Sequence, residues 1–496
     1  MINISDQDFK KQINSLNLKK DYVLQSYDKK GYYSSSSRGS KSPRTPTNTR
    51  TNIQDFKDSI LCKIFTFLNV MDLCIIQGVC KKWKRMITRD PDIYSIVNLS
   101  ILPPTVKTLN LMKIVQNDRN IIKLYLPHLA NSNDTSYLLM SIPKTLEFLQ
   151  INNVNIEFAT VFTQKIPNLK ILELQNRNKR KKNFDENELK AISNCCSSIQ
   201  SLTINKAPLT DELLQFFLPK FQNLKIINIP NTPKLTNETL QVIARSCYQI
   251  TDIHLGGTPT NYNLNFSFEG FEYFNLSKFE LKSVKLDYCS RVGDQVIQIF
   301  AQRYRDNLVE LQIIRNCFEK CAKISDEGIS YLKDCPNLQR LNITYSRKFR
   351  ESIHINISKN LHQLRYLCLK ECPIQEDLSV LVQGCPQLEE VNLSGDSWVT
   401  SLSLVGLSKH PYLKILHLGH YDHGDTNCDE NLEEYPPKGM FIEGIFKNKN
   451  AFQKLHLLFL EQNCSLTYWL DVRLQKIRPK LTIRYTPAEN LFALVE

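Results

Sequence analysis

Residues 224–255, LKIINIPNTPKLTNETLQVIARSCYQITDIHL, hold one complete period of this chain. In the opening LKIINI, Leu224, Ile227 and Ile229 are apolar, and the alternation at its end is that of a strand with one face buried. LTNETLQVIARSC follows, with Thr236-Asn237 at a helix start and Leu240, Ile243 and Ala244 at helical spacing. It ends in Cys247, three residues before the next hexamer at Ile250.

Working outward, hexamers of the form Leu-x-x-Leu-x-Leu start at Leu146, Leu169, Ile199, Leu224, Ile250, Leu281, Leu308, Leu338, Leu364, Leu388, Leu413 and Leu455. Their spacing is 23 to 31 residues, with one gap of 42. VKTLNL at Val106 and IIKLYL at Ile121 read as degenerate earlier copies. Helical segments fall between them: LTDELLQFF, VGDQVIQIFAQRY, ISDEGISYLKDC, IQEDLSVLVQGC and VTSLSLVGLSKH. Cys196, Cys335 and Cys385 keep the position of Cys247. No single unit can bury its own apolar face, so neighbours must stack into a curved α/β solenoid with strands inside and helices outside. The pattern resembles the cysteine-containing leucine-rich repeats, which implies a horseshoe over residues 105–496 with an insertion near 420–450.

The chain of 496 residues carries a net charge of +13, with 15 glycines and 15 cysteines. So little glycine argues against a glycine-rich nucleotide-binding enzyme. No apolar run reaches the roughly 18–20 residues of a membrane helix, so no membrane partner is expected. The start, MINISDQDFKKQ, lacks a basic-then-apolar layout, which predicts a cytoplasmic chain with access to the nucleus. An odd cysteine count recurring at one repeat position reads as buried reduced thiols. Residues 1–182 hold 29 Lys+Arg against 14 Asp+Glu, and residues 183–496 hold 34 against 36. The basic charge is therefore not a property of the whole array, and nucleic acid is not the expected partner.

Residues 1–51 include KGYYSSSSRGSKSPRTPTNTRT, too poor in apolar side chains to fold, and are read as a disordered tail. Phe9, Ile13 and Leu16 allow a short helix before it. Ser42-Pro43 and Thr45-Pro46 beside Lys41 and Arg44 suit proline-directed kinases, or are ordinary linker prolines.

The character changes at residues 52–97. Ile60, Leu61, Ile64, Phe65 and Leu68 form an apolar helical stripe, with Asp55 and Asp58 at its dipole-favoured end. Asn69-Val70-Met71-Asp72 has the form of a capping box, so a second helix starts there. Trp83 lies among Lys81, Lys82, Lys84 and Arg85 on a third helix, which Asp90-Pro91 ends. Three helices of this size are a poor stand-alone core, so part of the stripe must pack on something else. This segment resembles an F-box: Ile60-Leu61, Ile64-Phe65, Leu68, Asp72-Leu73, Val79-Cys80, Trp83, Asp90-Pro91 and Tyr94 match at the pattern's spacings. It departs at Phe56 for leucine, Lys57 for proline and Tyr94 for tryptophan. The resemblance implies that Phe56, Ile60, Leu61, Ile64, Phe65, Leu68, Val79 and Trp83 pack in or near an interface with the small SCF adaptor, and through it with a cullin. An F-box before such repeats is the architecture of the F-box/leucine-rich-repeat receptors of ubiquitin ligases, which bind a protein substrate. The alternative is a binding scaffold that uses the fold without joining a cullin.

Strand alternation puts the intervening residues of each hexamer on the concave face. Candidates there are Glu173, His254, Lys285, Asp287, Arg340, Tyr366, Lys370, Glu390 and His417, with Arg340, Tyr366 and Lys370 pairing an aromatic with cations. Lys179-Arg180-Lys181-Lys182 reads as a phosphate-binding or nuclear-import patch, or as a solvated loop. His420 to Glu430 contains metal-capable side chains without zinc spacing, so no metal or cofactor is expected and an acidic recognition loop fits better. No P-loop or nucleophile elbow is present, and Cys62, Cys74 and Cys80 sit among apolar residues.

Overall fold

All twelve hexamers become strands of one sheet. The computed structural model describes residues 56–102, 106, 111–112, 114–115, 120–126, 143–152, 166–175, 198–205, 209–314, 324–346, 349, 353–372, 378–395, 401–418, 438–462 and 472–487. The hexamers give β3 (Phe148–Asn152), β4 (Ile171–Gln175), β5 (Ser201–Asn205), β6 (Ile226–Ile229), β7 (Asp252–Gly256) and β8 (Ser283–Asp287). They continue as β9 (Glu310–Ile314), β10 (Arg340–Ile343), β11 (Tyr366–Cys368), β12 (Glu390–Leu393), β13 (Ile415–Leu418) and β14 (Leu457–Gln462). The degenerate copy at Ile121 forms β2 (Lys123–Tyr125), while Lys107 to Asn110 of VKTLNL lie outside the described residues.

Two strands lie beyond the hexamers: β1 (Ile96–Asn98) and β15 (Thr482–Pro487). The order runs β1 to β15 without a crossover, and neighbours pair in parallel. Register is kept along the stack, with Leu341, Leu367, Val391, Leu416 and Leu458 side by side. These side chains are fully buried, each worth about 1.5–3 kcal/mol relative to exposure.

Helices cover the other side: α4 (Asp211–Phe217), α5 (Asn237–Ser246), α6 (Phe268–Phe271), α7 (Asp294–Arg303), α8 (Asp326–Tyr331), α9 (Ile353–Asn360), α10 (Ser379–Gly384), α11 (Ser401–Ser408) and α12 (Lys438–Lys447). Thr210, Thr236 and Ser325 cap α4, α5 and α8 with their own hydroxyls. The residue after the cap reaches into the next repeat. Thr236 donates its N–H (3.0 Å) and its O–H (2.8 Å) to the Asp211 carboxylate. Ser325 donates N–H (2.8 Å) and O–H (2.6 Å) to Asp294. Asn237 plays the same part, its Oδ1 accepting the Ser267 N–H at 3.0 Å. This explains the Thr/Ser-Asp pairs beyond simple capping: one residue satisfies its own helix, and its neighbour satisfies the cap of the following one. Opposite that carboxylate stands either a donor, Thr239 against Asp211, or a glycine, Gly328, where a Cβ would collide with Asp294.

Three of the recurrent cysteines fill the predicted position, and Cys196 lies outside the described residues. Cys247, Cys335 and Cys385 are buried, and burial pushes each thiol up to about 12. His410 takes the equivalent place before β13. Its Nε2 lies 3.0 Å from the Cys385 carbonyl and its Nδ1 accepts the Tyr412 N–H at 3.2 Å, so Nε2 carries the proton. A second shared feature follows the strands. Asn231, Tyr288, Tyr345 and Glu371 adopt positive φ at one repeat position, and Gly395 does so after β12.

The N-terminal helices are α1 (Asp58–Phe65), α2 (Val70–Ile76) and α3 (Lys81–Arg89), followed by a 3-10 turn at Pro91–Tyr94. Asn69 caps α2, its Oδ1 accepting from the N–H groups of Met71 (2.9 Å) and Asp72 (3.0 Å). Phe65 and Trp83 meet edge to face at 5.3 Å. No linker follows. Val97 pairs with Leu124, so Tyr94, Val97 and Leu99 occupy the three apolar positions of a repeat, and the sheet starts before residue 105. Tyr94 therefore ends the helical hook and begins the array, and Gln77, which follows α2, donates to its hydroxyl at 2.7 Å. One apolar core runs from Leu61 to Leu481.

Candidate functional site

Helix α1 is apolar on two faces, and among the described residues only one of them packs within the chain. Leu61 and Phe65 point into the core with Trp83, and Leu68 is half-buried against it. Ile60 (45% exposed), Ile64 (37%) and Phe67 (82%) stand on the outside, joined by Val79 (56%), Phe56 and Ile75. The eight residues expected at an adaptor interface thus divide. Phe56, Ile60, Ile64 and Val79 offer surface, whereas Leu61, Phe65 and Trp83 build the hook beneath it. Phe67 and Ile75 were missed. Their signal was present, since Ile60, Ile64 and Phe67 are spaced i, i+4, i+7, a second face beside the first.

Lys57 stands just before α1 with φ −60° and ψ 146°. That φ is the one a proline would impose, so the departure changes the residue without changing the backbone. Cys62 is half-buried, and burial together with Asp90 pushes its thiol up to about 11, as suits an inert position. Among the described residues no helix is long and apolar enough to cross a membrane.

The second surface is the sheet face opposite the helices. Of the nine candidates, eight lie on its strands and Lys370 follows β11, and most are already engaged. His254 Nε2 lies 2.6 Å from Asp287 Oδ2, and Gln312 donates to Asp287 Oδ1 at 3.0 Å. Lys285 (3.0 Å) and Arg340 (3.2 Å) pair with Glu310. Burial alone would raise the Glu310 carboxyl, but the Ser283 hydroxyl and the two cations outweigh it and hold the group below its ordinary value. Arg340 also covers the Tyr366 ring at 4.2 Å. His417 lies 3.0 Å from Glu390 and stacks on Phe459 at 4.2 Å. Glu173, on β4, sits apart from this group, its carboxyl raised by burial.

Tyr366, Lys370 and His417 converge on one half-open cavity of about 300 Å³, which Tyr288, Tyr345 and Phe459 help to line. The cavity lies at the small end of the range for ligand sites. Arg340 borders it through Tyr366, while His254, Lys285 and Asp287 are elsewhere on the sheet. Lys179–Lys182, the 420–430 segment and the tail lie outside the described residues.

The F-box-like family model matches residues 58–100. Among solved structures, the chain is similar to the Rad7 and Elc1 complex in yeast, at 15% identity over 84% of this chain and 98% of that one, with a TM-score of 0.42. It is also similar to the TLR13-ssRNA13 complex, at 16% identity over 77% of this chain and 49% of that one, with a TM-score of 0.40. The chain therefore carries an F-box-like domain running into a repeat solenoid, with fifteen parallel strands among the described residues.

Proposed function

We propose that this chain is the substrate-recognition subunit of an SCF-type ubiquitin ligase, non-catalytic itself and acting in the cytoplasm or nucleus. The observation that carries the reading is the outer apolar row of the F-box-like domain, Ile60, Ile64, Phe67 and Val79, left exposed by a hook whose own core is complete. Exposed apolar side chains grouped in this way mark interaction sites, and F-box domains dock adaptors. The adaptor would join the chain to a cullin, and the sheet face would hold a protein substrate. The mechanism is proximity: two binding sites on one continuous core raise the effective concentration of substrate lysines near a recruited conjugating enzyme.

The test is affinity purification of the full chain beside an Ile64→Asp variant, followed by mass spectrometry. Adaptor and cullin should accompany the wild type only, while proteins retained by both are substrate candidates. Adaptor missing from both samples, or retained by both, overturns the assignment. A scaffold that never joins a cullin is the second reading, favoured by Lys57 standing where the F-box pattern has proline.

A further inference from the structure

Two asparagines on either side of Cys368 are locked in opposite senses by their neighbours. Register sets Asn342, Cys368 and Asn392 side by side on β10, β11 and β12. The sense of Asn342 is fixed from two strands away. Gln312 donates its NH2 to Asp287 Oδ1 at 3.0 Å, and a carboxylate only accepts, so Gln312 turns its oxygen toward β10. Asn342 then donates its own NH2 to that oxygen, at 3.2 Å. Its Oδ1 is what remains, a buried acceptor with no hydrogen-bond donor among the described residues. Asn392 is fixed the other way. Its Oδ1 accepts the Ser394 N–H at 2.9 Å and the Ser394 hydroxyl at 2.7 Å. An N–H can meet only the oxygen of an amide, so the NH2 group of Asn392 is left over, without a partner among the described residues.

Both asparagines line the half-open cavity of about 300 Å³, with the small Cys368 between them. The charges around it have both signs: Lys370 lines it, and Glu390, paired with His417, lies beside it on β12. An ion of either sign meets its like there, and a neutral polar group does not. We infer that the cavity seats a primary carboxamide, the side chain of a glutamine or asparagine on a partner protein, its NH2 donating to Asn342 Oδ1 and its carbonyl accepting from the Asn392 NH2. This deepens the reading of the sheet face as a recognition surface and rests on it. Neighbouring strands stand about 4.8 Å apart, which puts the two asparagines roughly 10 Å apart at the backbone. A carboxamide with one hydrogen bond at each end spans about 8 Å, so a slight lean of the two side chains closes the gap.

The experiment uses the full chain and fluorescein-labelled degenerate octapeptide pools whose fixed central residue is glutamine, asparagine, glutamate, methionine or histidine, read by fluorescence polarisation. The glutamine or the asparagine pool should bind about tenfold or more tighter than the glutamate and methionine pools, the scale on which a ligand that leaves a site's polar groups unmet is rejected. Whichever carboxamide pool leads gives the reach of the seat. Asn392→Asp keeps an acceptor for Ser394 and replaces the spare donor by a second acceptor, so it should remove that advantage while leaving the methionine pool unchanged. Asn342→Leu, which deletes the spare acceptor at similar volume, should do the same. Equal binding of all pools, binding of none, a lead for the glutamate, methionine or histidine pool, or an advantage that survives either substitution overturns the assignment. Adaptor recovery reads the ligase proposal separately. Losing it with the carboxamide preference intact removes the ligase role alone, whereas the converse removes the cavity assignment alone.

Discussion

The two surfaces of this protein are prepared for binding in opposite ways. The hook exposes apolar side chains over a core that is already closed, so its free energy of association lies in surface that water still covers. The sheet face exposes charges, yet His254, Lys285, Arg340 and His417 are paired with Asp287, Glu310 and Glu390 before any partner arrives. A ligand there must either exchange those partners at little net gain or use the cavity beside them. Under the proposed function, affinity and selectivity are separated along the chain: the hook suits one constant partner, the sheet a chosen one.

That contrast can be broken first on α1. Leu61→Asp buries an unpaired charge and should cost about 3 kcal/mol or more, whereas Ile64→Asp on the outer face should shift stability by less than about 0.5 kcal/mol. Both lose the adaptor, and thermal melts separate the causes. Equal destabilisation would mean that α1 has one face rather than two. Next comes the link between repeats. Asp294→Ala strands the Ser325 N–H and should cost about 1–3 kcal/mol, with faster hydrogen exchange at that amide. On the sheet, Arg340→Glu or Tyr366→Ala should weaken substrate capture about tenfold without changing adaptor recovery. Unchanged capture by both would move recognition to another part of the face.

Smaller effects sharpen the picture. Lys57→Pro fits the native φ and should stabilise by about 0.4–1 kcal/mol while adaptor binding persists. Loss of binding would show that the lysine itself matters. His410 provides a pH signature. Burial lowers its value, with the Cys385 carbonyl opposing, so the folded chain prefers the neutral ring. Its contribution is full above the unfolded value of about 6.5 and declines as pH falls below it. The melting temperature should drop over that window, and His410→Cys, which restores the common residue of the repeat, should remove the dependence.

The repeat strands were legible because each must bury Leu-x-x-Leu-x-Leu on one side. The terminal strands were not, and the register says why. β15 has Lys480 where the first leucine belongs and Tyr485 where the last does, as an end strand with one neighbour permits. β1 uses Tyr94 in the first position, a residue that the F-box pattern had already claimed. Sequence spacing likewise placed Leu61 and Ile64 in one stripe, because periodicity identifies apolar positions but does not say which of two neighbouring faces finds a partner in its own chain. The cavity was out of reach for a different reason. It is made by what Cys368 and Asn392 lack in volume beside residues far away in sequence, and only the register brings these together.

The cap relay gives the array a direction. Asp211 and Asp294 are acceptors waiting on the N-terminal side of a junction, and Thr236 and Ser325 are the donors that arrive later in the chain. If the stack is severed at such a junction, both cut faces take up water, the upstream one around a carboxylate and the downstream one around the freed N–H and hydroxyl. Repeats leaving a ribosome in order would each present an acceptor edge to the next, so the array can extend from the hook outward one junction at a time.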